Sequence, residues 1–178
     1  MRHIISVLVE NEFGVLARVA GLFSGRGFNI ESLCVGETQD PAISTMTIVT
    51  TGSDAILEQI LKQLNKLVNV IKVTDFKDSE YVSREMVLVK INADEKTREE
   101  ILRMIEIFRG RVVDVSPKSY VVEITGNEEK VKAFLALIRP LGIKELVRTG
   151  SVAMVRGEKV TRARDRQSKG GSDGEGVL

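Results

Sequence analysis

The chain has 178 residues, 43% of them hydrophobic, and its 26 basic and 25 acidic residues give a net charge of +1. This composition is typical of one folded domain or two small ones, and the balanced charge would not attract nucleic acid or an anionic membrane. The one cysteine, Cys34, excludes an internal disulfide, and no Cys/His cluster offers a metal site. Since no segment approaches the roughly 18 apolar residues that span a bilayer, we expect a soluble cytoplasmic protein.

The first half of the chain predicts the element order β-α-β-β-α-β. Residues 4–9 are rich in β-branched side chains, which indicates a buried strand before an amphipathic helix. Segments 28–35 and 44–50 alternate apolar with polar residues and should pair as a hairpin. Ser53 can cap a second helix, and residues 68–76 return to a strand pattern. The predicted helix faces are Leu16, Val19, Ala20 and Phe23 in the first helix, and Leu57, Ile60, Leu61 and Leu64 in the second.

The same order recurs in the second half. Residues 97–100 match a capping box, although Asp94 could equally cap the helix that follows. The predicted strands are residues 85–91, 112–115 and 120–124, and residues 143–155 supply the last strand or strands. The predicted helix faces are Ile101, Met104, Ile105 and Phe108 in the first helix, and Val131, Phe134, Leu135 and Ile138 in the second.

This repeated order predicts an α+β chain of two consecutive ferredoxin-like (βαββαβ) modules, each an antiparallel sheet with two helices on one face. We expect the modules at residues 1–77 and 84–158, joined by a linker at 78–83. Residues 159–178 form a basic and then Gly/Ser-rich tail that we expect to be disordered. The uncovered face of each sheet favours pairing with a second copy, and therefore a homodimer.

Residues suited to catalysis are scarce. His3 has no cysteine or serine context that would suggest a nucleophile, and we expect it at the surface. No phosphate loop, dinucleotide fingerprint or metal-ligand spacing is present. The acidic pairs 99–100 and 128–129 lie in first helical turns, where they suit the helix dipole. We therefore expect no catalytic residue and no enzymatic activity on this chain alone.

The segment after the first strand has the features of a small-ligand site. A loop leading into a helix presents unpaired backbone N–H groups, and Gly14 lets a carboxylate approach them. Asn11 and Asn29 offer polar contacts for an ammonium group. Alternatively, Asn11 is a helix cap, Gly14 a bend and Asn29 a turn residue. The apolar walls of such a site would be Val15, Leu16 and Ile30.

These residues resemble a known family. Asn-x-x-Gly-Val-Leu-x-Arg-Val at 11–19 and Arg-Gly-Phe-Asn-Ile-Glu-Ser-Leu at 26–33 are similar to an ACT domain. More narrowly, they resemble the regulatory small subunit of acetohydroxyacid synthase, also called acetolactate synthase. The resemblance spans about residues 2–160 and includes motifs in both modules, at 44–48, 58–67, 84–90 and 107–110.

The resemblance implies a regulatory role in branched-chain amino acid biosynthesis. The family's small subunit binds a catalytic large subunit, raises its activity and confers feedback by valine, with weaker responses to leucine or isoleucine. Thiamine diphosphate, FAD and magnesium belong to that partner, so no cofactor is expected here. The family's effector contacts correspond to Asn11, Gly14 and Asn29, at an interface between two ACT domains. The first module would then sense the effector, and the second would contact the catalytic subunit.

Other functions have weaker support in the sequence. A free-standing amino-acid-sensing regulator of transcription would need a DNA-binding element, and none is visible. A similar module could instead regulate another biosynthetic enzyme, but a detached allosteric tail would leave the second module unexplained. A nickel sensor of this fold would need several histidine or cysteine ligands, whereas the chain has one of each.

Overall fold

A computed structural model describes residues 1–157, so the predicted tail from residue 159 lies outside the described residues. The element order is the predicted β-α-β-β-α-β, present twice. The first domain contains β1 (Arg2–Glu10), α1 (Val15–Ser24), β2 (Ile30–Glu37), β3 (Ile43–Thr51), α2 (Asp54–Leu64) and β4 (Val70–Asp75). The second contains β5 (Tyr81–Asn92), α3 (Arg98–Ile107), β6 (Arg111–Ser116), β7 (Ser119–Gly126), α4 (Glu128–Gly142) and β8 (Ile143–Val155).

Each domain is a four-stranded antiparallel sheet with two helices packed on one face. The strand orders are β2-β3-β1-β4 and β6-β7-β5-β8. Alternate side chains of the central strands point toward the helices, and the helix faces meet them to form the two cores. The first core includes Ile5, Val7, Ile48, Phe23 and Ile60, and the second includes Val87, Val89, Ile124, Ile101 and Phe134. The predicted α+β fold class is confirmed.

The helix starts follow local side-chain chemistry. Ser53 caps α2 as predicted, because its hydroxyl accepts a hydrogen bond from the backbone N–H of Ile56 at 3.4 Å. At α3 the predicted capping box is wrong: Thr97 makes no capping hydrogen bond, and Asp94 accepts from the N–H of Thr97 at 2.9 Å. The N-terminal regions of α2 and α3 thus obtain an acceptor from a short polar side chain that precedes each helix.

Two expectations about the first domain are wrong. Leu16 is 45% exposed, and the adjacent Val15, only 4% exposed, lies in the core instead. This difference arises because α1 begins at Val15, which places Val15 and Val19 on the same inward face. His3 is 5% exposed rather than at the surface, and its Nε2 lies 3.1 Å from the carbonyl oxygen of Gly52.

The predicted linker at 78–83 is also too long. Residues 81–83 belong to β5, because β8 extends far enough to pair with them, with Tyr81 opposite Val155. Every helix within residues 1–157 is too short or too polar to cross a bilayer.

The last strand joins the two domains. β8 pairs with β5 from Ile143 to Val155, with a register shift between Glu85 and Val87. Its C-terminal half also crosses the first sheet on the face opposite the helices. There Ala153 and Val155 pack against Ile4, Val49 and Phe76. The open face that favoured pairing with a second copy is therefore partly covered by the chain itself.

Gly150 allows this close approach between the domains. Its φ is +84°, and a Cβ built on it would lie 2.5 Å from the hydroxyl oxygen of Ser32 in β2. The same hydroxyl accepts a hydrogen bond from the backbone N–H of Ser151 at 3.1 Å. A residue with a side chain would strain the backbone and push β8 away from β2.

Gly150→Ala should lower the free energy of unfolding by about 1–2 kcal/mol from its left-handed backbone alone. Urea unfolding followed by circular dichroism measures this loss. Gly36→Ala is the matched control, because a Cβ at Gly36 meets no atom within 4 Å, and it should leave stability unchanged or raise it slightly, since alanine lowers the entropy of the unfolded chain. Equal losses in the two variants would contradict the argument.

Candidate functional site

The loop between β1 and α1 ends in a glycine with a left-handed backbone. Gly14 is the N-cap residue of α1, with φ +83° and ψ −5°, and α1 has no side-chain cap and no acidic residue in its first turn. A Cβ built at Gly14 would meet nothing within 4 Å. Gly14 is therefore needed for its backbone conformation, and the space that a side chain would occupy there is open.

This helix start leaves backbone donors unpaired. Among residues 1–157, the N–H groups of Gly14, Leu16 and Ala17 have no acceptor, whereas that of Arg18 donates to Gly14 at 3.0 Å. Free N–H groups at a helix N-terminus, together with the helix dipole, attract an anion such as a carboxylate. The N–H groups of Gly14, Leu16 and Ala17 are called the cradle below, and a carboxylate is the ligand that the sequence predicts for them.

Asn11 anchors the loop instead of capping the helix. Its Nδ2 donates to the carbonyl oxygen of Pro41 at 2.8 Å and to the carboxylate of Glu37 at 3.2 Å, and its backbone N–H donates to Ala42 at 2.7 Å. The alternative interpretation of Asn11 as a helix cap is therefore wrong. Its Oδ1 accepts no hydrogen bond from the described residues and remains available to a ligand.

The three residues predicted to form the apolar walls lie in different environments. Val15 is buried in the first core, so its side chain is not a wall of the site and only its backbone borders the loop. Leu16 is exposed on α1 next to the cradle. Ile30 packs partly against the first core, at the start of β2.

Asn29 and Ile30 lie at the opposite end of the sheet from Asn11 and Gly14. Ile30 is paired with Thr50, whereas Glu37, which bonds Asn11, is paired with Ser44. The eight residues of β2 separate the two groups by about 25 Å. A single chain therefore does not bring the predicted site residues together.

A buried asparagine holds the loop between β1 and α1 in place. The sequence did not single out this residue. Asn69 is 8% exposed, and its Nδ2 donates to the carboxylates of Glu10 at 2.8 Å and Glu12 at 3.2 Å. Its Oδ1 accepts from the guanidinium of Arg18 at 2.6 Å. Since these partners lie about 50–60 residues away along the chain, no local sequence pattern indicates the role of Asn69.

Comparisons with known proteins agree with this architecture. A family described as the small subunit of acetolactate synthase matches residues 84–157, and one described as an AHAS small subunit-like ACT domain matches residues 5–72. A probable acetolactate synthase small subunit from Archaeoglobus fulgidus is 57% identical over 159 residues, covering 89% of this chain and 99% of that protein. This chain belongs to the acetolactate synthase small-subunit family. The resemblance identified from its motifs is confirmed.

Other relatives support the family assignment over the same span. The acetolactate synthase isozyme 3 small subunit of Escherichia coli is 52% identical over 163 residues, covering 91% of this chain and all of that protein. A crystal structure of the Thermotoga maritima acetolactate synthase small subunit superposes with a TM-score of 0.80 at 43% identity, covering 89% of this chain and 99% of that one. Membership of a small-subunit family implies a regulatory chain whose partner is a catalytic large subunit.

Asn69→Asp should destabilise the first domain by about 1–3 kcal/mol at pH 7. The substitution replaces the Nδ2 donor by an oxygen that faces the carboxylates of Glu10 and Glu12. Urea unfolding followed by circular dichroism measures this loss. Asn92→Asp, at an exposed position in β5, is the control and should show no such loss.

Proposed function

We propose that the chain is the feedback-sensing subunit of acetolactate synthase: it activates the catalytic subunit and makes it sensitive to valine. Thiamine diphosphate, FAD and magnesium would lie on that catalytic subunit, and this chain would supply no catalytic group. The observation that carries the proposal is the uncapped, glycine-initiated helix of the ACT domain, with its unpaired N–H groups beside Asn11. The family shown by the comparisons supplies the enzyme that such a sensor would regulate.

The position of β2 supports a site shared by two copies of the chain. β2 is an edge strand, with the cradle at its C-terminal end and Asn29 immediately before its N-terminal end. If two copies pair antiparallel along β2 about a twofold axis, Asn29 of one copy comes next to Asn11 and Gly14 of the other. Such a homodimer would contain two equivalent sites, each built from both chains.

Valine fits the chemistry of this shared site. Its carboxylate would accept hydrogen bonds from the backbone N–H groups around Gly14. Its ammonium group would donate to the free Oδ1 of Asn11 and to Asn29, and the nearby carboxylate of Glu37 adds favourable charge. The isopropyl group would contact Leu16 and Ile30. Since one methylene in an apolar pocket is worth about 1–3 kcal/mol, leucine and isoleucine should bind more weakly.

Gly14→Asp should abolish inhibition by valine while leaving activation of the catalytic subunit in place, because the new carboxylate repels that of the effector. The measurement is acetolactate formation by the reconstituted complex across a valine titration. Gly14→Ala changes the backbone preference without adding charge and should weaken the response less. Full valine inhibition of the Gly14→Asp complex would show that the site is elsewhere.

A mixed dimer tests whether the site is shared between chains. Gly14→Asp and Asn29→Ala homodimers should both fail to bind valine in calorimetry. A dimer with one chain of each kind has one intact site, because its wild-type Gly14 and wild-type Asn29 come from different chains. It should bind half as much valine as the wild-type dimer. No binding by the mixed dimer would contradict a site built from Gly14 of one chain and Asn29 of the other.

A further inference from the structure

The two domains meet through charged side chains at one end of the first sheet. The Nη1 of Arg2 in β1 is 2.6 Å from the carboxylate of Glu128 at the start of α4, and its Nε is 3.8 Å from that of Glu31 in β2. Lys132 holds the other oxygen of Glu128 at 2.5 Å. The Arg2–Glu128 pair therefore crosses from the first domain to the second.

Asn29 lies at the same end of the sheet. Its carbonyl oxygen accepts a hydrogen bond from the hydroxyl of Thr50 at 2.7 Å. The next residue of β3, Thr51, donates its hydroxyl to Glu31, whose other oxygen faces Arg2. A continuous row of contacts thus runs from Asn29 through β3 and Glu31 to Arg2.

A second link between the domains starts from the same strand. Ser32 follows Glu31 in β2 and accepts the hydrogen bond from the backbone of Ser151. Gly150 lies against it. Between Asn29 and Ser32, three positions apart, the chain therefore passes from a predicted effector contact to two contacts with the second domain. A movement of the start of β2 would affect all of them.

Part of the boundary between the domains is an open cleft. It has a volume of about 440 Å³ and is lined largely by charged and polar groups that include Arg2, Glu31, Arg148 and the 6% exposed Glu85. Arg148 pairs with Glu85 at 3.5 Å. Polar contacts around such a cleft resist displacement less than a close-packed core does.

Glu128 is ionised under physiological conditions. The hydrogen bond from Lys132 and the positive charges of Arg2, Lys132 and Arg148 hold the pKa of Glu128 below its ordinary value, against the smaller opposing effect of partial burial. Its carboxylate is therefore available to Arg2 at neutral pH.

We propose that the Arg2–Glu128 ion pair couples effector binding in the first domain to the orientation of the second. The coupling rests on the proposed function, in which an effector contacts Asn29. An effector that holds Asn29 shifts the start of β2, and Glu31 carries the shift to Arg2 and α4. Arg2 and Glu128 do not touch the effector. A partly exposed ion pair has a modest energy, which suits it to biasing two orientations instead of fixing one.

The test compares wild type with Arg2→Met, Glu128→Gln and the double variant, each reconstituted with the catalytic subunit. Valine affinity, measured by calorimetry, should stay close to that of wild type. The change in activity at saturating valine should fall by about fivefold or more. The double variant should match either single variant, because each removes the same pair. Glu58→Gln removes the Lys62–Glu58 pair within α2 and, as the control, should be inhibited normally.

Three results would overturn the coupling. Normal inhibition of wild type and of both single variants would overturn the coupling and leave the proposed function standing. Loss of valine affinity in those variants would show that Arg2 and Glu128 support the binding site itself. A wild-type complex that does not respond to valine would overturn the proposed function and, with it, the coupling.

Discussion

The pairing of β5 with β8 is the constraint on which the arrangement of the two domains depends. β8 has 13 residues, and the register shift near Glu85 together with the left-handed Gly150 lets its C-terminal half continue across the first sheet. One strand thus completes the second sheet and also covers part of the first. It does both at once, because its backbone pairs with β5 while the side chains of Ala153 and Val155 pack against the first sheet.

Most of the fold could be predicted from the sequence because the apolar residues of each helix and strand recur with a clear period. Strand alternation and helical spacing predicted both βαββαβ units, and β8 has the predicted bounds. The predictions were wrong where contacts between residues distant in the sequence determine the structure. His3 is buried by its neighbours in the sheet, and residues 81–83 join β5 only because β8 reaches them. Neither contact leaves a local signal, since the partners are distant in the sequence.

The candidate site could be predicted only in part. The unpaired N–H groups at Gly14 follow from a glycine at a helix start and were predictable. Whether Val15 or Leu16 faces the core depends on where α1 begins, and the amphipathic pattern left that uncertain by one residue. Asn69 was missed because its partners come from three separate elements. The separation of Asn11 from Asn29 required the topology of the sheet.

That separation ties ligand recognition to the amount of protein present. In the proposed dimer, an isolated chain would hold only half of each shared site, so dimer formation and amino-acid binding would be linked by mass action. Dilution below the dimer dissociation constant would weaken the apparent affinity for the effector, and the effector would in turn favour the dimer by the same factor. The threshold at which such a sensor responds would then be set by the abundance of the chain as well as by the concentration of the amino acid.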